Sequence, residues 1–218
     1  MVNYYNPETG AKETVEEIKS FGGKAIAVKA DVSNLDDIKN LKAKTVETFG
    51  SEIHILVNNA GGLFARRILQ ELDESFYDLV MNVNFKSTVF VMQAFEPLMG
   101  KGSSIINLSS LAARDGGGGG SSLYASSKGA TTTFTRAIAK ELGPKGIRVN
   151  AVSPGLIGTK FHDDFTKDEI RVAVAGKTPV RREDRAGEVA DLVIYLASEN
   201  SSFITGGNFD INGGLAFS

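Results

Sequence analysis

The stretch SSLYASSKGA, residues 121–130, sets Tyr124 and Lys128 four residues apart, directly after five consecutive glycines, Gly116–Gly120. Side chains at that spacing share one face of a helix, so a phenol and an ammonium can meet there. A free phenol ionises near pH 10, and a fixed cation beside it favours the phenolate. Such a pair could trade protons with an oxygen. The same spacing also occurs on ordinary helices, so the rest of the chain decides between the two readings.

Other chemistries have few groups to draw on. The 218 residues contain no cysteine, which removes thiol nucleophiles, disulfides and cysteine-based metal sites and fits a reducing compartment. The two histidines, His54 and His162, are too far apart to suggest a metal site, and neither lies near a triad-like nucleophile. Metal binding is not expected. A net charge of −2 with interspersed signs gives no sign of a nucleic-acid surface. No apolar run has the roughly 18–20 residues of a membrane span, and the first residues lack signal-peptide character. A cytoplasmic protein that binds neither membrane nor nucleic acid is expected.

Positioning the pair requires a scaffold, and the apolar pattern supplies one. Helical spacing marks 8–21, 35–50, about 73–98, 122–142 and 187–198. Short apolar runs at 24–32, 53–59, 104–110, 147–155 and 208–214 read as strands. Strands rich in Val, Ile and Leu that alternate with helices predict an α/β protein, one domain over 1–218, with a parallel sheet covered on both faces. The glycine run reads as a connector, or as a loop that lets a substrate approach beyond a strand end.

At this point a set of segments, LVNNAG (56–61), NVN (82–84), NLSS (107–110), YASSK (124–128), IRVNAVSPG (147–155) and ITGGNFDINGG (204–214), resembles the short-chain dehydrogenase/reductase family, in its compact bacterial form. The likeness covers essentially the whole chain and includes 3-oxoacyl-carrier-protein reductases and sugar or uronate reductases. It implies a Rossmann-like doubly wound sheet and NAD(P)-dependent hydride transfer between nicotinamide and a carbonyl or alcohol carbon. The resemblance assigns Tyr124 as general acid/base, Lys128 as its cation and ribose ligand, Ser110 as the holder of the substrate oxygen and Asn84 as the residue that bends its helix. Asp31 and Val32 would border the adenine. Asn59, Ala60 and Gly61 would line the cofactor, and Pro154, Gly155, Ile157 and Thr159 would close over the nicotinamide. Asn58 is expected to support the loop rather than touch ligand.

Two departures stand out. The Ser110-to-Tyr124 separation is one residue longer than the family pattern, within the glycine loop, which should reshape the substrate wall. The family's TGxxxGxG phosphate-binding turn is also absent, and the opening residues resemble the end of the family's second strand. The expectation is a doubly wound fold lacking its first strand and helix, with a gap in the sheet. The gap would reflect a shortened reading frame, a segment lying outside this sequence, or a chain that closes the gap itself or with a partner. A catalytically inactive remnant that binds no dinucleotide is the contrasting reading.

Tyr4, flanked by Asn3 and Tyr5, stands where an acid would select NAD(H), so NADP(H) is favoured. Arg66, Arg67 and Arg114 follow strand ends on the side where the family binds substrate; Arg66 and Arg114 are candidates to hold an acidic one. The variable lid, about 158–186, is rich in charge and suggests a small polar substrate. The helices near 73–98 and 122–142 match those that pair across a dimer axis in the family, so a homodimer or homotetramer is expected.

Overall fold

The computed structural model describes residues 1–6 and 8–217. The strands are β1 (Val2–Tyr4), β2 (Ala27–Lys29), β3 (Ile53–Asn58), β4 (Met99–Leu108), β5 (Arg148–Pro154), β6 (Ile157–Gly158), β7 (Asp184–Arg185) and β8 (Asn208–Ile211). Four of them form a parallel sheet in the order β3-β4-β5-β8. The short β1 and β2 pair separately, also in parallel. Helices α1 (Glu8–Ser20), α2 (Leu35–Phe49), α3 (Glu74–Met81), α4 (Ser87–Phe95), the short α5 (Ala112–Asp115) and α6 (Ser122–Leu142) alternate with them, followed by α7 (Lys160–Phe165), α8 (Asp168–Lys177) and α9 (Ala186–Ala197). The expected α/β class and the doubly wound arrangement are both present. Among the described residues no helix is long and apolar enough to cross a membrane.

Neighbouring residues on a strand point to opposite faces, and both faces of the sheet are apolar at its centre. Ile105 of β4 and Val149 of β5 pack with Ala139 and Leu142 of α6 and Met92 of α4. Ile106, one residue after Ile105, and Val152, three after Val149, pack on the other face against Leu196 of α9. Ile105, Ile106, Val149 and Val152 are all fully buried. Burial of this kind stabilises by about 25 cal/mol per Å² of apolar surface, and it makes the ends of β4 and β5 a rigid platform.

The expected gap is present too. No strand hydrogen-bonds between β1 and β3 among the described residues. Beneath the opening the helix layer continues without a break: Ala30 beside β2, Ile38 and Leu41 of α2, and Val91 and Phe95 of α4 form one cluster that reaches Ile53 and Leu56 of β3.

The helix expected over 73–98 is interrupted. Asn82–Lys86 form a π-helical turn between α3 and α4, and Asn84, fully buried, sits inside it. Its side-chain amide donates to Gly62 O at 2.8 Å and Val80 O at 2.9 Å and accepts from Gly62 N at 3.0 Å. The wider turn aims this side chain at the loop after β3, a usual place for such bulges near functional sites. The lid was not resolved into elements by the sequence pattern. It contains α7 (Lys160–Phe165), α8 (Asp168–Lys177) and the parallel β6–β7 pair.

Candidate active site

Ser110 is held by the sheet although it lies past the end of β4. Ser109 N donates to Val152 O at 2.7 Å and Leu111 N to Pro154 O at 2.8 Å, so the ladder to β5 runs on through it. Tyr124 and Lys128 stand in the first two turns of α6. That helix buries a polar face on the sheet, and its hydroxyls are satisfied internally: Ser127 donates to Tyr124 O, Thr131 to Ser127 O and Thr135 to Thr131 O. Ser109 Oγ donates to Lys128 O at 2.9 Å, tying the helix to the strand end. Asn58 donates to Asn107 Oδ1 at 2.8 Å, and Asn107 donates to Thr135 Oγ1 at 2.9 Å. A buried amide chain therefore crosses from β3 through β4 to α6, and Asn58 supports the loop as expected.

These residues converge. The hydroxyl of Ser110 is near enough to the Tyr124 phenol to favour its ionised form. Lys128 Nζ lies 5.9 Å from the centre of the Tyr124 ring and donates to Leu108 O at 2.8 Å. A side chain at Gly61 would begin 2.6 Å from Asn84 Oδ1 and 2.9 Å from Lys128 Nζ, so only glycine lets this loop pass so close. Ser110, Tyr124, Lys128, Asn59, Gly61, Pro154, Gly155, Ile157, Thr159 and Arg66 line one cavity of about 790 Å³. Asp31, Val32 and Ala60 line a second, of about 690 Å³, which shares Val57, Asn59 and Gly61 with the first.

The electrostatics differ from the expectation in one respect. Burial pushes the Tyr124 phenol above its ordinary value, and the nearby Ser110 hydroxyl opposes this less strongly. Burial also lowers Lys128, to about 8. Desolvation thus outweighs the attraction that a nearby ammonium was expected to exert on the phenol. At neutral pH the pair is a neutral phenol beside a charged ammonium, the protonation state of a general acid.

Lys128 is nearly inaccessible, at 4% exposure. An ammonium has three donors, and among the described residues only Leu108 O accepts from this one. Its other donors suit hydroxyl oxygens in the cavity, so the residues present fit the ribose of a nicotinamide nucleotide.

The arginines separate. Arg114 forks onto Asp210 at 3.2 Å and does not line either cavity. Arg67 pairs with Asp73 at 2.6 Å. Arg114 was a candidate to hold an acidic substrate, and a carboxylate within the chain pairs with it instead. Arg66 remains at the cavity mouth, donating to Gly119 O at 3.0 Å and Phe165 O at 3.4 Å. It joins the glycine loop to the lid. Gly120, at φ 74°, comes within 3.0 Å of Arg66 when given a side chain, so the run is a packed turn rather than a loose connector.

The lid's charges also turn away from the cavity. Arg171 bonds Glu183 and Asp163, and Arg182 bonds Glu188. The cavity wall is made by Phe161, Ile170 and Val174 of the lid with Val189 and Val193 of α9. The charges from which a small polar substrate was expected are thus paired within the chain, while Thr159, His162 and Thr166 are the polar groups that the lid gives to the lining. Phe161, whose ring lies 5.7 Å from that of Tyr124, escaped the sequence reading. The spacing of Ile170–Val174 and of Val189–Val193 was the signal that could have revealed two apolar helix faces.

Residues 1–216 match the family described as enoyl-(acyl carrier protein) reductase. The 3-oxoacyl-[acyl-carrier-protein] reductase FabG of Staphylococcus aureus is 34% identical over 216 residues, which cover 98% of this chain and 86% of that protein. The chain belongs to the short-chain dehydrogenase/reductase family. Its members are oxidoreductases, and two solved structures show the breadth of their cofactor use. A short-chain dehydrogenase from Burkholderia cenocepacia in complex with NADP is 32% identical, with a TM-score of 0.88 over 97% of this chain and 85% of that one. An NADH-dependent reductase responsible for alginate metabolism is 30% identical, with a TM-score of 0.89 over 100% of this chain and 86% of its own. Nothing in these comparisons supports an inactive remnant.

The buried ammonium gives a stability test. A lysine whose value falls from 10.5 to about 8 on folding binds fewer protons folded than unfolded between those pH values, so it opposes folding fully below about 8 and less as pH rises. Lys128→Met is expected to raise stability at pH 7 by about 3 kcal/mol, with the difference shrinking between about pH 8 and 10. Denaturant melts of both proteins across that range check it; a less stable Met variant at pH 7 would refute the desolvation account.

Proposed function

We propose that this short-chain dehydrogenase/reductase acts at neutral pH as an NADP(H)-dependent reductase of an anionic carbonyl compound with an apolar body, a 3-oxoacyl compound being the best fit. One observation carries the reading: the Tyr124 phenol, the Ser110 hydroxyl and the buried Lys128 ammonium, 5.9 Å from the phenol ring, line one largely apolar cavity. A bound nicotinamide would supply the hydride. Ser110 would hold the substrate oxygen by its hydroxyl. Tyr124 would give that oxygen its phenolic proton as negative charge builds there, and the Lys128 ammonium would stabilise the phenolate left behind. Lys128 would also hold the ribose, and the edges at Asn59–Gly61 and Pro154–Thr159 would frame the ring.

The substrate class rests on three features. The lid walls are apolar. Arg66 has only backbone carbonyls as partners among the described residues, so its charge is not neutralised within the chain. The Staphylococcus aureus relative is named as a 3-oxoacyl reductase. Support for NADP(H) comes from the end of β1. Glu8 pairs with Lys12 at 2.9 Å there, and the charges of Lys12 and Lys29 both act on that carboxylate. Two cations against one acid favour an added phosphate.

Tyr124→Phe is expected to lower single-turnover carbonyl reduction by about 10²–10⁴-fold while leaving NADPH affinity within a few-fold. In the unsubstituted protein, kcat/KM for reduction should stay level below about pH 8 and fall about tenfold per unit above it, as Lys128 loses its proton. A level profile to pH 10 would count against the assignment.

Arg66→Ala should raise KM for a carboxylate- or phosphate-bearing ketone by about 10–100-fold, the range of a charged hydrogen bond, and leave a neutral analogue unchanged. Equal effects on both would remove the anion from the substrate description. Lys12→Ala should shift the NADPH-to-NADH ratio of kcat/KM several-fold towards NADH, and an unchanged ratio would withdraw the preference.

A further inference from the structure

Ser110 stands between two stretches of very different stiffness. Before it, β4 is locked to β5. After it come α5, a helix of only four residues, and the glycine run Gly116–Gly120. So short a helix does not hold itself together in water, and glycine gives the following chain the widest backbone freedom. The bonds of Ser109 N and Leu111 N to β5 fix the serine's backbone. Its hydroxyl depends on α5. Ala112 N donates to Ser110 Oγ at 3.1 Å, and Ala113 N donates to Ser110 O at 3.0 Å. A hydroxyl has one hydrogen and two acceptor positions. An N–H on one acceptor position leaves the hydrogen of Ser110 for another partner, and this serine lines the cavity with Tyr124.

α5 is anchored at its far end by a charge pair. Arg114 Nε donates to Asp210 Oδ1 and Nη2 to Asp210 Oδ2, both at 3.2 Å, and Nη2 also donates to Asn208 O at 3.4 Å. Two parallel bonds fix a guanidinium in angle as well as in distance. The two side chains are 25% and 14% exposed, so the pair is partly sheltered from screening. Asp210 belongs to β8 and pairs there with Ser153 of β5. The sheet therefore holds α5 twice, through Leu111 N on Pro154 O and through Arg114 on β8. Past Arg114 the chain turns left-handed at Gly116 (φ 84°) and Gly117 (φ 71°).

We propose that Arg114 and Asp210 are a positioning pair, whose fork holds α5 on β8 so that Ala112 N stays on Ser110 Oγ and the serine offers its hydrogen to the substrate oxygen. This role rests on the reductase reading for the oxygen that Ser110 meets, and it places the pair's effect in the transition state rather than in substrate capture. A substrate anchor changes KM for anions, as expected of Arg66. A pair that aims a donor at developing charge changes kcat for every carbonyl compound, charged or neutral. Neither Arg114 nor Asp210 lines a cavity, so the effect travels through α5 and Ser110.

The test compares the full chain with Arg114→Ala, Asp210→Asn, Ser110→Ala and the combined Arg114→Ala/Ser110→Ala variant. Single-turnover reduction of a neutral ketone by NADPH should fall about 10–100-fold in Arg114→Ala, with NADPH affinity unchanged within a few-fold. Asp210→Asn, which keeps the shape and loses the charge, should fall in the same direction and serves if Arg114→Ala does not fold. Adding Arg114→Ala to Ser110→Ala should cost no more than about twofold, because no hydroxyl remains to aim. A second measurement needs no turnover: the Tyr124 phenol is titrated by magnetic resonance of isotope-labelled tyrosine, its signal assigned with Tyr124→Phe. The Ser110 hydroxyl favours the ionised phenol, so Arg114→Ala should move this titration upward, and should move it no further once Ser110 is alanine. The shift without turnover in any variant would uphold the positioning pair and remove the reductase reading. A neutral ketone reduced at the unsubstituted rate by both Arg114→Ala and Asp210→Asn, an unmoved Tyr124 titration, or an equal effect of Arg114→Ala with and without Ser110 would each overturn the pair's role.

Discussion

Burying an ammonium costs several kcal/mol unless partners replace its water. Lys128 is buried with a single backbone carbonyl, Leu108 O, to meet it among the described residues. Much of the local architecture follows from placing that charge. The hydroxyl column of α6 holds the helix against the sheet, Ser109 grips Lys128 by its carbonyl, and Gly61 leaves room for the ammonium beside Asn84. The same dry surroundings that lower Lys128 raise Tyr124. One cause thus keeps the phenol protonated and the amine only just charged at neutral pH, which is the state needed to give a proton and then stabilise what remains.

How much of this could be read from residues alone varied with the range of the interaction involved. The helix over Ser122–Leu142 has the bounds that its periodicity predicts, because local spacing and local structure coincide there. The strands β4 and β5 were legible for a similar reason, as runs of Val, Ile and Leu bounded by polar or glycine-containing breaks. The π turn at Asn82–Lys86 was not legible as such: it depends on Asn84 finding Gly62, 22 residues away. Its position was nonetheless marked by the family resemblance, which assigns Asn84 the bend.

Charge was the least legible property. Arg66, Arg67 and Arg114 look equivalent in sequence, each following a strand, but Asp73 and Asp210 pair with the last two and not with the first. Asp210 is 96 residues from Arg114, a pairing set by the order of β5 and β8 rather than by any local pattern. The lid misled in the same way. Its acids and bases bond each other across α7, α8 and the start of α9, and the side they leave to the cavity is apolar. A charged composition describes a segment's total and says nothing of which face carries it.

The gap and the group of Ser110, Tyr124 and Lys128 occupy different parts of the sheet, and this separation has a consequence. Ser110, Tyr124 and Lys128 are held by β4, β5 and α6, whose centre is fully buried and whose ladder is complete. The gap lies beyond β3, on the far side of Asn59–Gly61. Geometry for proton transfer can therefore exist in a chain whose sheet is open. Val57, Asn59 and Gly61 border both regions, and Gly61 is where their shared edge comes closest to the ammonium.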